Sequence, residues 1–309
     1  MITKGQRLPR GVQVLERGWL SSNNVLLIGP QGTALVDSGY CTHAQQTLAL
    51  VGHALGERPL DLLVNTHLHS DHCGGNAALQ AQYPQLRTLI PPGEAAAVRD
   101  WDESRLSYRA TGQECPRFSF DGALTPGSTV NLGEHQWEVH AAPGHDPHAV
   151  LLFQANARLL ISGDALWEKG FGIVFPEMWG EPSFSEVEAT LDLIEKLDPS
   201  CVIPGHGSVF DDVAPALAAA RERLDAFVRS PLKHARHAMK VLIKFKLLDA
   251  RRIAAKDLDA WLARSAYLAE VHQRFAADRD LQEWSKELVE ELIRSGAARR
   301  EGEFILDSA

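Results

Sequence analysis

Thr66-His67-Leu68-His69-Ser70-Asp71-His72 decides how the rest of the chain is read, because three of its 13 histidines fall within six residues here. The stretch follows an apolar run, Leu60 to Asn65, that reads as a buried strand. It precedes Gly74-Gly75 and a helical stretch from Asn76 to Gln82. It therefore lies on a strand-to-helix loop at one end of a sheet, where binding and catalytic residues concentrate. Imidazole and carboxylate are ligands for zinc and similar divalent ions. In extended backbone His-x-His turns two rings to the same side, since successive side chains alternate. Asp71 and His72 then turn back to serve a second ion, and the two glycines let the backbone pass tightly through the turn. The ordinary alternative, a polar loop with chance histidines, fits poorly with a cluster this dense.

Three later turns repeat the placement. Pro143-Gly144-His145 follows a strand at Gln136 to Ala141, Ser162-Gly163-Asp164 follows one at Arg158 to Ile161, and Pro204-Gly205-His206-Gly207 follows one at Cys201 to Ile203. Each sets one potential ligand just beyond a strand end beside glycine. Singly, each is a turn with a polar residue; together with the first cluster they supply seven ligands, His67, His69, Asp71, His72, His145, Asp164 and His206.

This pattern resembles the metallo-β-lactamase fold superfamily, with its His-x-His-x-Asp-His signature and separate His, Asp and His ligands. The resemblance runs from about Gly11 to Asp212 and includes Leu35-Val36-Asp37-Ser38-Gly39, similar to the superfamily's strand-ending Asp-x-Gly. It implies an α/β (α+β) fold, an αββα four-layer sandwich of two mixed sheets with metals at one edge. By the same resemblance His67, His69 and His145 hold one ion, Asp71, His72 and His206 a second, and Asp164 bridges them. Asp at position 164 resembles the glyoxalase II, lactonase, phosphodiesterase and nuclease branches rather than antibiotic-hydrolysing enzymes. The implied cofactors are two divalent ions, zinc first, with iron or manganese as alternatives. Two such ions roughly 3.5–4 Å apart can share a water and lower its pKa toward about 7, giving a hydroxide that attacks a carbonyl or phosphoryl centre. Asp71 and Asp164 are then the catalytic carboxylates, Asp71 by orienting or deprotonating the water, and Asp37 is expected to be supporting or structural.

Strand and turn signals place a first domain at 1–228 and a mainly helical one at 229–309, with Arg229-Ser230-Pro231 as the break. Hairpins are expected across Pro30-Gln31, Gly133-Glu134 and Asn156-Ala157, and amphipathic helices from Thr42, a candidate N-cap, to Leu55 and from Phe184 to Leu197. Strands paired in hairpins with helices between them suggest a mixed sheet. Near the end a helix from Trp284 to Ile293 and a small hairpin over 295–306 resemble a winged helix.

The net charge of −9 argues against broad nucleic-acid binding. Seven Lys or Arg in residues 231–252 (Lys233, Arg236, Lys240, Lys244, Lys246, Arg251, Arg252) read either as a solvated face or as a patch steering an anionic substrate. Four cysteines without CxxC spacing fit free thiols in a reducing, cytoplasmic setting. The N-terminal Met1-Ile-Thr-Lys-Gly-Gln-Arg7 lacks a leader's apolar stretch, and no run is long enough to span a membrane. Cys73 is expected to be a buried thiol rather than a nucleophile. His43, His53, His135 and His140 are expected to lie outside the ligand set, and His148 is either a substrate-side partner or structural. The aromatic, glycine-rich segment from Ala165 to Trp179 either lines a pocket or packs in the core. The expected partner is a small-molecule substrate such as a thioester, ester or lactone. Nucleic acid for a phosphodiesterase or nuclease is the second reading, and a metal-binding regulatory protein with vestigial catalysis the third. No membrane partner is expected, and homo-oligomer formation is left open.

Overall fold

The structure, a computed structural model, describes residues 8–308. The N-terminal heptapeptide on which the leader reading rested lies outside the described residues. The chain forms two compact units. One gathers residues up to Tyr108 with Glu114–Leu224, the other Arg109–Gln113 with the residues from Asp225 onward.

The first unit is built on two mixed sheets. In one, β1 (Val12–Leu15), β2 (Asn24–Gly29), β3 (Gly32–Val36), β4 (Leu62–Val64), β5 (Arg87–Ile90) and β6 (Gly122–Ala123) stand in sequence order. The first three are antiparallel and the others run parallel to β3. In the second, β7 (Thr129–Leu132), β8 (His135–Ala141), β9 (Val150–Gln154) and β10 (Leu159–Gly163) form an antiparallel meander, and β11 (Cys201–Pro204) adds parallel to β10. The three expected hairpins are all present.

Side-chain alternation explains why the sheets stack. Val25, Leu27, Ala34, Val36 and Val64 share one buried cluster with Trp137, Val139, Val150, Leu152, Leu159, Ile161 and Ile203 of the second sheet. The intervening Leu26, Leu35 and Leu63 point the other way, onto Val51 and Leu55 of the helix Ala44–Leu55 and Leu79 of the helix Asn76–Gln82. A sheet buried on both faces needs apolar residues at every position, as β2 and β3 have. The helix Ser183–Leu197 likewise buries Val187, Leu191 and Ile194 at helical spacing.

Two local expectations differ from the structure. Thr42 does not cap the first long helix: a 3-10 turn over Cys41–His43 precedes it, and the cap position is His43, without a side-chain cap bond. The strands Arg87–Ile90 and Gly122–Ala123 were not expected, being four and two residues long, too short for a period to show.

In the second unit the helix Pro231–Ala250 opens with proline, whose missing N–H costs nothing in a first turn. The helices Ala255–Arg264, Ala266–Phe275 and Leu281–Arg294 follow, the last capped by Asp280 accepting from Glu283 N. The expected hairpin is β13 (Ala298–Glu301) with β14 (Phe304–Asp307), and β12 (Arg252–Ala254) pairs on the other side of β14. The basic residues of 231–252 are largely engaged within this unit. Arg236 and Lys240 share Glu291 at 2.5 and 2.9 Å, and Lys244 meets Asp307 and the Ala297 carbonyl. Lys246 pairs with Asp249, and Arg252 lies 3.7 Å over the Phe304 ring. No helix among the described residues is long and apolar enough to cross a membrane.

Candidate metal centre

Every ligand candidate lies just past a strand end or on the short helix that follows. His67 and His69 come after β4, Asp71 and His72 on the helix Ser70–Cys73, His145 after β8, Asp164 after β10 and His206 after β11. The structure brings all seven together in three sets whose donor atoms lie within 4.8 Å of one another: His67, His69 and His145; Asp71, His72 and His206; and His67, His72 and Asp164. Leu68, between the first two histidines, points away into a core with Cys73, Tyr108 and Phe118, as the alternation requires. A Cβ on Gly74 would lie 2.5 Å from Ser70 O, and one on Gly75 would lie 2.5 Å from Ser38 O. Only glycine allows this close passage.

Hydrogen bonds at the back of the rings set which nitrogen faces the centre. Asp37, after β3 and at a φ of +59°, accepts from Thr66 N and Thr66 Oγ1 and lies 2.8 Å from His72 Nδ1. The Thr66 hydroxyl proton is committed to Asp37, so His67 Nδ1–H donates to Thr66 Oγ1 at 3.1 Å. His145 Nδ1–H donates to Ile173 O at 2.5 Å. Nε2 of all three rings is thereby left for the centre, as metal-binding histidines require. Thr66 and the Ile173 carbonyl could not be assigned from sequence, having no pattern of their own.

The electrostatics fit a divalent cation. Burial, reinforced by neighbouring imidazoles, holds His67 well below its usual pKa; burial and His69 bring His145 down to about 4. Burial also lowers His69, so these three rings are neutral at neutral pH. Burial alone would raise Asp164, but His206, His72 and His145 keep it well below the usual carboxylate range. Burial would lower His72, yet Asp164, Asp37 and Asp71 outweigh it and raise that imidazole well above its usual value. Three carboxylates around one ring call for positive charge there, and a cation supplies it in exchange for the proton. His72 Nε2 and His145 Nε2 are buried without a hydrogen-bond partner, each 3.4 Å from an oxygen of Asp164. Buried lone pairs facing ionised carboxylates are the donor set a divalent metal needs.

Aromatic rings flank the cluster. Phe175 meets His69 and His145 edge-on or tilted, and Trp167 Nε1 donates to Asp164 Oδ1 at 3.2 Å. The segment after Asp164 thus does both things considered for it. Trp167 and Phe175 line the site, while Phe171, Ile173, Val174 and Met178 are core. Trp19, unsuspected from sequence, stacks on His206. His148 is exposed, with its ring over Gly93 and its N–H donating to Asp146 Oδ1. His43, His135 and His140 bond to Ser21, Arg10 O and Glu138, away from the cluster. Cys73 is buried, and burial pushes its thiol well up.

The family model of the metallo-beta-lactamase superfamily matches residues 17–206. The hydroxyacylglutathione hydrolase of Anaeromyxobacter dehalogenans is 32% identical over 271 residues, 84% of this chain and 93% of that protein. The acyl-coenzyme A thioesterase of Homo sapiens is 26% identical over 168 residues, 50% of this chain and 58% of that protein. The crystal structure of a metallo-beta-lactamase family protein from Thermus thermophilus shares the fold at a TM-score of 0.58 and 20% identity, covering 97% of this chain and 100% of that one.

Proposed function

The chain belongs to the metallo-beta-lactamase superfamily of metal-dependent hydrolases, and from that premise we propose that it hydrolyses a small carbonyl substrate, a thioester, ester or lactone, at a binuclear centre. The observation that carries this is the position of Asp164. Its Oδ1 lies 3.4 Å from His72 Nε2, and its Oδ2 lies 3.4 Å from His145 Nε2 and 3.8 Å from His206 Nε2, so the carboxylate stands between the two ligand triads. His67, His69 and His145 would hold one ion, Asp71, His72 and His206 the other, and Asp164 both. Histidine and carboxylate donors suit zinc, with iron or manganese as alternatives.

When bound, the ions supply Lewis acidity and acidify water for attack on the carbonyl. The chain's own groups do the rest. Burial would raise the Asp71 carboxyl, but His72 and His206 hold it below its usual pKa; it stays ionised, which suits it to hold an ion and orient the attacking water. Phe175 and Trp167 give the substrate's acyl part an apolar wall and exclude bulk water. The two named relatives act on acyl derivatives of glutathione and coenzyme A, which favours a thioester first. Four free cysteines favour a reducing, cytoplasmic location.

Elemental mass spectrometry of the purified protein and of Asp164→Ala, beside turnover of acyl-coenzyme A, acyl-glutathione and lactone panels, tests the proposal. About two ions per chain, falling sharply in the variant, with metal-dependent turnover in one panel, is the expected result. One tightly held ion unchanged by the substitution would overturn the binuclear assignment. Inactivity across all panels would overturn the substrate class.

A further inference from the structure

We propose that Trp19 is a positioning residue for His206, holding that imidazole by ring stacking where His72, His67 and His145 are held by hydrogen bonds. The inference rests on the reading of His206 as a metal ligand. His72, His67 and His145 each have the nitrogen facing away from the centre bonded, to Asp37, Thr66 and Ile173 O. His206 differs. Its Nε2 lies 3.1 Å from Asp71 Oδ2, but its Nδ1 is buried with no hydrogen-bond partner. No hydrogen bond holds the side of this ring that faces away from the centre.

Two indoles do so instead. The Trp19 ring lies parallel to the imidazole, at an interplanar angle of 8° and a centroid separation of 5.3 Å. Trp167 closes edge-on at 5.6 Å and 78°, and the two indoles meet edge to face at 5.4 Å. These are favourable offset and T-shaped aromatic geometries. Trp19 remains 54% exposed, so its place is not explained by core packing. The loop carrying it is fastened to both elements that flank the ring. Asn23 N donates to Gly205 O at 2.7 Å, and Asn23 Nδ2 donates to Pro204 O and Gly207 O on either side of His206. Ser22 N donates to Asp71 O at 2.9 Å. The stack is thus held in register with the imidazole by backbone and Asn23 side-chain hydrogen bonds rather than by chance contact of a surface ring.

The test is chelator competition for zinc with the full-length protein, comparing Trp19→Ala, Trp19→Phe and His206→Ala. Visible spectra of the cobalt-loaded proteins serve as a second readout. Trp19→Ala is expected to weaken one of the two ions about tenfold, the low end of what loss of a ligand-orienting partner costs, and to shift the cobalt spectrum. Trp19→Phe, which keeps a ring to stack, is expected to recover most of that affinity. Wild-type affinity for both ions in Trp19→Ala would overturn the proposal, as would equal weakening by Ala and Phe. His206→Ala separates the two failures. If it leaves metal content unchanged, the ligand reading fails; if it removes an ion that Trp19→Ala keeps at wild-type strength, only the positioning role fails.

Discussion

Asp37 Oδ2 lies 2.8 Å from His72 Nδ1, and the far nitrogen of the same ring faces Asp164 Oδ1 at 3.4 Å. One carboxylate behind the imidazole thus decides which lone pair the centre receives. Asp37→Ala would free the ring and strand Thr66 N and Thr66 Oγ1, which both donate to that carboxylate. Metal affinity is expected to fall about 10- to 100-fold and stability by about 2 kcal/mol. Chelator competition and urea unfolding measure the two separately; wild-type affinity in a destabilised variant would limit Asp37 to a structural role.

Gly205 bears on the same carboxylate from the opposite side. A Cβ there would stand 2.2 Å from Asp164 Oδ1 and 2.9 Å from His72 Cε1. Gly205→Ala must displace one of them, so turnover is expected to drop at least about 100-fold, as a misplacement of about 1 Å does. Normal turnover in this variant would show that the turn yields instead.

The thiols separate by burial. Cys73 and Cys115 are buried, Sγ to Sγ at 3.8 Å, whereas Cys201 is half-buried with its pKa raised to about 11 by burial and Asp211. The thiolate is the reactive form and is favoured above the pKa. Labelling of native Cys201 is therefore expected to rise about tenfold per pH unit between pH 8 and 10, with Cys73 and Cys115 silent until unfolding. Peptide mapping by mass spectrometry reads each site. A Cys201 rate that levels off by pH 9 would contradict the raised pKa.

Polyanion binding is expected to be weak. Of the seven cations in residues 231–252, Arg236, Lys240, Lys244 and Lys246 are in ion pairs and Arg252 is over a ring. A paired cation has little to offer a phosphate, so RNA anisotropy in about 150 mM salt should show a Kd weaker than about 10⁻⁵ M. Tighter, salt-sensitive binding would reopen the nuclease reading.

The convergence of the seven candidate residues was legible because each chemistry-bearing side chain stands directly after an apolar strand, beside a glycine or within one short motif. The hairpin at Gly133-Glu134 was equally plain from its punctuation. Arg87–Ile90 was not, because a four-residue parallel strand has neither alternation nor a hairpin turn to mark it. Trp19 escaped notice for a different reason. It meets His206 only after the chain has folded two sheets together, and an aromatic residue in a loop carries no local sign of such a partner. The basic helix was left open between two readings for the same reason, since its acidic partners Glu291 and Asp307 lie more than 50 residues downstream.

The candidate ligands come from both sheets, His67 following β4 in one, and His145, Asp164 and His206 following strands of the other. A cation held between them would be a clasp across the open rim of the sandwich, and would join folding and metal supply in one equilibrium. At about a thousandfold excess over Kd such a ligand adds about 4 kcal/mol, so chelation should lower the melting temperature by about 10 °C. A cell short of the metal would then lose this protein to proteolysis as well as its activity, and would recover it only by new synthesis.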